Sequence, residues 1–336
     1  MALPRPRQLL PVGMVPTVAV LLACLAMPAQ TDPVAAAAPS APPSATLPAA
    51  PPVEEVLVSS PEPRYVAPTT RDRIGRIWAP VLINGRGPYR LVLDTGATRS
   101  AITQRVVDDL GTSVLPQPVR LRGVTGTATV QAVKIDRLEF GELLVEDVKL
   151  PIMADAFGGA DGVLGGEGLK GKRVEIRFLE DRISIMRSHR KAAATGYAVV
   201  PFRYAVNRGL RVQVQVGSVK ATGLIDTGAE VTVGNTALRE ALAERRGTRE
   251  ESESSVMGVT LDVQQATRAR IPSIVAGQLI VRNANIAFSD LHIFEHWHLT
   301  AEPALLIGMD VLGMLDTLVI DYGLGELQIR SRRGRP

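Results

Sequence analysis

Past its first seventy residues the chain is written in short apolar runs, many alternating with polar positions and broken by Gly, Asn, Asp and Pro. Alternation with a period of two marks strands with one face buried, and short unbroken apolar runs mark strands covered on both faces. Residues 80–83, then Asn84-Gly85, then residues 89–93 read as a β-hairpin, because Asn-Gly accepts the backbone angles of a two-residue turn. Later, Val212, Val214 and Val216 alternate with glutamines, turn at Gly217-Ser218 and return into Leu224-Ile225. Alternating strands are also expected over residues 174–185 and 318–329. Helical stretches are expected only at 103–110 and 236–245. The pattern predicts a mainly β protein with many short strands and few, short helices.

These elements occur twice, in the same order. Leu91-Val92-Leu93-Asp94-Thr95-Gly96-Ala97 is matched by Gly223-Leu224-Ile225-Asp226-Thr227-Gly228-Ala229. At average residue usage, Asp-Thr-Gly-Ala is expected on the order of once in tens of thousands of positions. Each copy follows a hairpin and precedes a helix. Gly123-Val124-Thr125 corresponds to Gly258-Val259-Thr260, and residues 138–145 correspond to 274–281. Val163-Leu164-Gly165 corresponds to Leu306-Ile307-Gly308, each followed by an acidic residue and a leucine (Glu167 and Leu169; Asp310 and Leu312). Such ordered self-similarity signifies a duplicated unit. One short helix is expected in each unit. The first unit is placed at residues 69–190 and the second at 191–330, with the seam near 188–197.

The length of 336 residues suits two domains or one bilobal unit. Apolar residues make up 46% and aromatics only 4%, so the core must rest on Val, Leu, Ile and Ala. The 38 basic and 34 acidic residues nearly balance, and no basic stripe is interleaved with aromatics. Nucleic acid is therefore not an expected partner. Residues 1–29 follow signal-peptide grammar: Arg5 and Arg7, an apolar run over 15–27 too short to favour a spanning helix, then Ala26 and Ala29. Export to the periplasm or beyond is expected. Cys24, the single cysteine, follows Leu21-Leu22-Ala23 and resembles a lipoprotein acylation site, although Leu22 stands where a small residue is usual. The alternatives are a lipid tether to the membrane and a cysteine lost with the signal. On either reading the mature body has no disulfide and no thiol nucleophile. Residues 30–68, dense in Pro and Ala, read as a disordered linker. Residues 331–336 read as a basic tail, and Arg330, Arg332, Arg333 and Arg335 as solvated and frayed.

Each unit resembles a protomer of the retropepsin-type aspartic proteases, as in their bacterial members, and the tandem pair resembles the bilobal pepsin-like arrangement across about residues 70–330. The resemblance implies an all-β fold of two pseudo-twofold lobes and a cleft that takes an extended peptide or protein substrate. It implies an endopeptidase with Asp94 and Asp226 as its catalytic carboxyls. Two carboxyls a few ångströms apart cannot readily both ionise, so they share a proton. One then acts as base on water while the other acts as acid on the carbonyl. Thr95 and Thr227 match hydroxyls that cross-link the two loops, and Gly96 and Gly228 suit a close backbone approach. Ala97 and Ala229 stand where pepsin-like enzymes often carry Ser or Thr. Loss of that hydroxyl removes a hydrogen bond to the ionised form, so a raised dyad pKa and activity extending towards neutral pH are expected. Gly123, Val124, Thr125 and Gly126 in one unit, and Met257, Gly258, Val259 and Thr260 in the other, are flap candidates or ordinary hairpin turns. Neither contains the flap tyrosine of pepsins. No cofactor or metal is implied, and a monomer suffices because one chain supplies both aspartates.

Two other readings compete. His292-Ile293-Phe294-Glu295-His296 has the H-x-x-E-H spacing of a zinc hydrolase, and His298 lies near. The matching stretch at 154–160 has no histidine, and Pro303 and the short length oppose a long metal-bearing helix, so a solvated or substrate-facing loop is expected. The other reading is a non-catalytic envelope module that binds peptides in the same cleft.

Overall fold

Strands Trp78–Ile83 and Arg86–Leu93 form the first hairpin. Asn84 (φ 51°) and Gly85 (φ 73°) hold the left-handed angles that reverse the chain in two residues, as the Asn-Gly pair predicts. The computed structural model describes residues 56–59, 76, 78–205, 209–245 and 249–332. The stretch read as a signal peptide, most of that read as a linker and residues 333–336 lie outside the described residues.

The first half closes into a six-stranded barrel. Around it run Trp78–Ile83, Arg86–Leu93, Gly162–Leu164, Ala101–Thr103, Leu143–Met153 and Ala132–Phe140, the last pairing back to the first. The second half repeats the order with Gly209–Val216, Val219–Ile225, Ala304–Ile307, Val233–Gly234, Leu279–Phe288 and Val263–Ala276. Gln215 opposite Val275 and Val216 opposite Ile274 close this second ring. In each half the strand that ends at the Asp-Thr-Gly loop runs parallel to a short apolar strand: Leu93 lies beside Leu164, and Ile225 beside Ile307. The duplicated sequence thus folds into a duplicated topology, and the protein is a bilobal β fold.

The halves join through their last strands. Lys172–Arg177 and Arg182–Arg187 form the closing hairpin of the first half, and Leu315–Asp321 and Glu326–Ser331 that of the second. Lys172–Arg177 pairs antiparallel with Leu315–Asp321, so the two hairpins make one sheet, extended by Ala198–Ala205. Val174 faces Ile320 and Ile176 faces Leu318 in this register, all four buried. Burying each such side chain contributes about 1.5–3 kcal/mol, so the seam is an apolar core and not a loose contact. Leu318, Val319 and Ile320 are buried in succession, because this central strand is covered on both faces where simple alternation was expected.

The expected helices are Gln104–Leu110 and Thr236–Glu244. Asn235 caps the second, its side chain accepting from Leu238 N–H at 2.9 Å. The second half adds two short helical turns, His292–His296 and Met309–Leu312. The first of these lies where a solvated or substrate-facing loop was expected: it is a helical turn, and Ile293, Phe294 and Trp297 are buried and anchor it. Two other readings change. Within the stretch read as linker, Val56–Ser59 forms a strand parallel to residues 279–282, consistent with the β-forming sequence Val-Leu-Val-Ser. Arg330 is not frayed: it lies in the last strand, with Nε 2.6 Å from Asp316 Oδ2 and its guanidinium over the Tyr197 ring. Arg332 donates to Leu315 O at 3.2 Å.

Candidate active site

Each barrel delivers an aspartate from the end of a buried strand into a tight loop. Asp94 N–H donates to Leu164 O, and Asp226 N–H to Ile307 O, both at 3.0 Å, so the parallel neighbour strand sets where each loop begins. The carboxyl then folds back on its own loop. Asp94 Oδ1 accepts from Gly96 N–H (2.8 Å) and Ala97 N–H (2.9 Å). Asp226 Oδ1 accepts from Gly228 N–H (2.9 Å) and Ala229 N–H (3.0 Å). One oxygen of each carboxyl is thereby held, and its backbone cradle is the same in both halves.

The loops meet face to face. A methyl at Gly96 would come within 2.5 Å of Asp226 Oδ2, and one at Gly228 within 2.5 Å of Asp94 Oδ2. No side chain fits there, which is why glycine occupies both sites. Thr95 N–H donates to Thr227 Oγ1 (3.2 Å) and Thr227 N–H to Thr95 Oγ1 (3.1 Å). The two hydroxyls donate onward, Thr95 to Ile225 O at 2.7 Å and Thr227 to Leu93 O at 2.6 Å. These four buried bonds tie the strand ends across the seam and set the separation of the carboxyls.

The Asp94 and Asp226 carboxyls face each other across the two loops, each against the other loop's glycine. Asp226 is 3% exposed and Asp94 half-buried. Burial raises both above the ordinary carboxyl value, and Asp226 goes well above it because the Asp94 charge adds to burial. The cradle N–H groups oppose that shift, and so, for Asp94, does the charge of Arg76. Ala97 and Ala229 add backbone donors but no hydroxyl, in line with the raised values.

A second layer of side chains supports both loops. Ser100 Oγ accepts from Gly165 N–H at 3.0 Å, while Ser100 N–H donates to Glu167 Oε1 at 2.6 Å. In the other half, Thr232 Oγ1 accepts from Gly308 N–H at 3.1 Å and donates to Asp310 Oδ1 at 2.7 Å. Each hydroxyl sits six residues after its aspartate, and each acid two residues after Gly165 or Gly308. That shared spacing is the signal that would have found them.

The flap candidates form hairpin tips. Gly123, Val124, Thr125 and Gly126 join Val119–Arg122 to Thr127–Val130, closed by Gly123 N–H to Gly126 O at 2.8 Å. Met257 ends the strand Arg249–Met257, and Gly258, Val259 and Thr260 begin the turn into Val263–Ala276. The tips touch: the site of a Cβ on Gly123 lies 2.9 Å from Val259 Cγ2, and that on Gly258 is met by the Thr125 hydroxyl. Each valine crosses to the opposite half. Val259 packs on the cluster that holds Ala97, Phe157 and Val163, and Val124 on the cluster that holds Ala229, Phe294 and Leu306. The hydroxyls of Thr125 and Thr260 are buried there without a hydrogen-bond partner.

The histidine motif does not assemble a metal set. Among the described residues no group of three or more His, Cys, Asp or Glu side chains is arranged to hold an ion. His292 Nδ1 lies 3.6 Å from Glu295 Oε2, but the His296 ring faces the guanidinium of Arg122.

Two matching barrels, a carboxyl pair at their junction and two tips above it define the architecture of a bilobal acid protease. A family model described as aspartyl protease matches residues 79–167 and again 212–311. The matches span more than half of the chain, and the chain belongs to the aspartyl protease family. Each match takes in one Asp-Thr-Gly loop together with its Gly165 or Gly308 strand. No curated protein matches the chain.

Proposed function

We propose that the protein is an endopeptidase that hydrolyses peptide bonds in extended polypeptide segments, with Asp94 and Asp226 as a catalytic dyad. The observation that carries this reading is the meeting of the two loops, which sets each carboxyl against the other loop's glycine while two N–H groups of its own loop cradle it. Burial and mutual repulsion leave the pair holding one proton, and the proton belongs to the pair as a unit. The ionised member takes a proton from water as the water oxygen bonds to the scissile carbonyl carbon. The protonated member gives its proton to the carbonyl oxygen, and a neutral tetrahedral diol forms. The proton on the base then moves to the amide nitrogen, the C–N bond breaks, and the proton of one diol hydroxyl returns to the pair. No covalent intermediate with the enzyme is needed. The tips above the dyad exclude bulk water, and the buried hydroxyls of Thr125 and Thr260 are donors for which a substrate backbone supplies acceptors.

Cleavage of a peptide library by the mature protein, with Asp94→Asn and Asp226→Asn as controls, tests the proposal. Either variant is expected to lose turnover by about 10²–10⁴-fold, the range of general acid–base contributions, while its circular dichroism stays that of the folded protein. Retained cleavage in either variant overturns the dyad. Peptide binding without cleavage in the unmodified protein would favour the binding-module reading. The N-terminal segment supports placing the enzyme outside the cytoplasm, tethered or released according to the fate of Cys24. Both aspartates lie in one chain, which supports a monomer as the working unit.

A further inference from the structure

The segment that carries the histidine motif touches the first hairpin tip from the opposite half. Three contacts cross between them. Ile293 N–H donates to Val124 O at 3.2 Å, at the apex of the tip. Thr127 Oγ1 lies 3.2 Å from His292 Nε2. Arg122 Nη1 lies 2.7 Å from Nδ1 and 2.8 Å from Nε2 of His296. Arg122 and Thr127 are the residues on either side of the tip, so the short helical turn holds the tip at both shoulders and at its apex.

The third contact constrains the charge of the ring. One guanidinium nitrogen lies within 2.8 Å of both ring nitrogens, so Arg122 sits against the ring and its charge favours an uncharged imidazole there. A protonated ring would present N–H on both nitrogens and place two cations within 3 Å. We propose that Arg122 and His296 form a proton-sensitive latch, which holds the first hairpin tip against the second half while the ring is neutral and releases it when the ring gains a proton. His296 is a positioning residue in this scheme, acting on the flap and not on the reacting atoms.

The groups that face His296 support this direction. Burial, then Arg122 on the hairpin, then His292 on its own turn and His298 just beyond all disfavour the charged ring, holding its pKa below the ordinary imidazole value of 6.5. Glu295 is turned towards His292 and largely exposed. An open tip removes Arg122, so the open form binds the proton more tightly than the closed one. The latch is therefore complete above the ordinary imidazole range and is lost as pH falls through the lowered value. Its part in catalysis rests on the endopeptidase reading: a chain segment reaches the dyad only when the tip lifts, so mild acidification admits substrate.

Hydrogen exchange over residues 119–130 of the full chain, corrected for the intrinsic pH dependence of exchange, reads the latch without any substrate. Between pH 7.5 and 5 the wild type is expected to lose protection there by at least about fivefold, the low end of ordinary coupling energies. His296→Gln supplies a carbonyl acceptor with no titration and is expected to stay protected at both pH values. Arg122→Gln can pair with either form of the ring, so its protection is also expected to be independent of pH, and it serves if the first variant folds poorly. A pH-independent tip in the wild type, or an unchanged pH dependence in both variants, overturns the latch. With cleavage as a second readout, the rise in kcat/KM on acidification is expected to flatten in His296→Gln through KM. A protein that cleaves nothing at any pH yet shows the exchange pattern refutes the endopeptidase reading and leaves the latch standing.

Discussion

Thr95 and Thr227 each accept the other's backbone N–H and donate to the strand end beyond it. Neither half can shift along the seam without breaking all four bonds. Replacing Thr95 by Val keeps the shape but leaves Ile225 C=O and Thr227 N–H buried without partners. The expected cost is about 2–4 kcal/mol, read as a lower denaturation midpoint. A displacement of about 1 Å at the dyad is expected to cost roughly 100-fold in turnover. Thr95→Ser keeps the hydroxyl and is expected to lose only about 1 kcal/mol, the worth of a buried methyl group. A loss confined to Thr95→Ser, with Thr95→Val unchanged, would show that the methyl, and not the hydrogen bonds, sets the geometry.

A serine at position 97 tests the cause of the raised dyad values. Ala97→Ser places a hydroxyl beside the Asp94 carboxyl, where a donated hydrogen bond favours the ionised form and lowers the pKa. The acid limb of the kcat/KM profile is expected to move to lower pH, and Ala229→Ser to act in the same direction. A limb that stays in place in both variants would mean that burial alone governs the pair.

Asp226 should weaken the fold at neutral pH. Its folded value lies well above the ordinary 3.8, so the native state binds that proton more tightly than the unfolded chain does. The resulting stabilisation is full below the unfolded value and is lost as pH rises through the folded one. Asp226→Asn escapes this loss. The stability of the Asn variant relative to wild type is expected to rise steadily from about pH 4, near the ordinary carboxyl value, and to level off above the raised one. Chemical denaturation across that range checks it, and a flat difference refutes it.

The hydroxyls of Thr125 and Thr260 are buried without hydrogen-bond partners in the structure. Thr125→Val is therefore expected to leave thermal stability unchanged or higher. If a substrate carbonyl accepts from the hydroxyl, KM should rise by about 2–10-fold, the equivalent of one net hydrogen bond. An unchanged KM in the valine variants of both threonines would assign the tips to closure alone.

The duplicated barrels were legible because strand alternation, the Asn84-Gly85 turn and the repeated Asp-Thr-Gly loops are local signals. Both aspartates, both threonines and both glycines were picked out for the same reason, and the structure brings all six together. Ser100 and Thr232 were overlooked because a lone hydroxyl carries little meaning, and it was their common offset from the aspartates that held the information. The meeting of Val124 with Ile293, or of Arg122 with His296, leaves no trace in local pattern, since it depends on how two halves pack across the seam. For the segment 292–296, Pro303 and the short length predict a solvated or substrate-facing loop. Ile293 and Phe294 were the better guide, because a buried aromatic fixes a short turn more firmly than exposed histidines loosen it.

The single sheet formed by the two closing hairpins has a further consequence. A pair of identical subunits must carry every alteration twice, once on each side of its axis. Here one polypeptide spans both sides, so the sides are free to specialise. The hairpin that carries the tip of the second half is built from strands of 9 and 14 residues and that of the first half from strands of 4 and 4, and the histidines grip only the latter. One arm is therefore available as a controlled gate while the other serves as a fixed roof, a division of labour that a strictly symmetric partnership cannot hold.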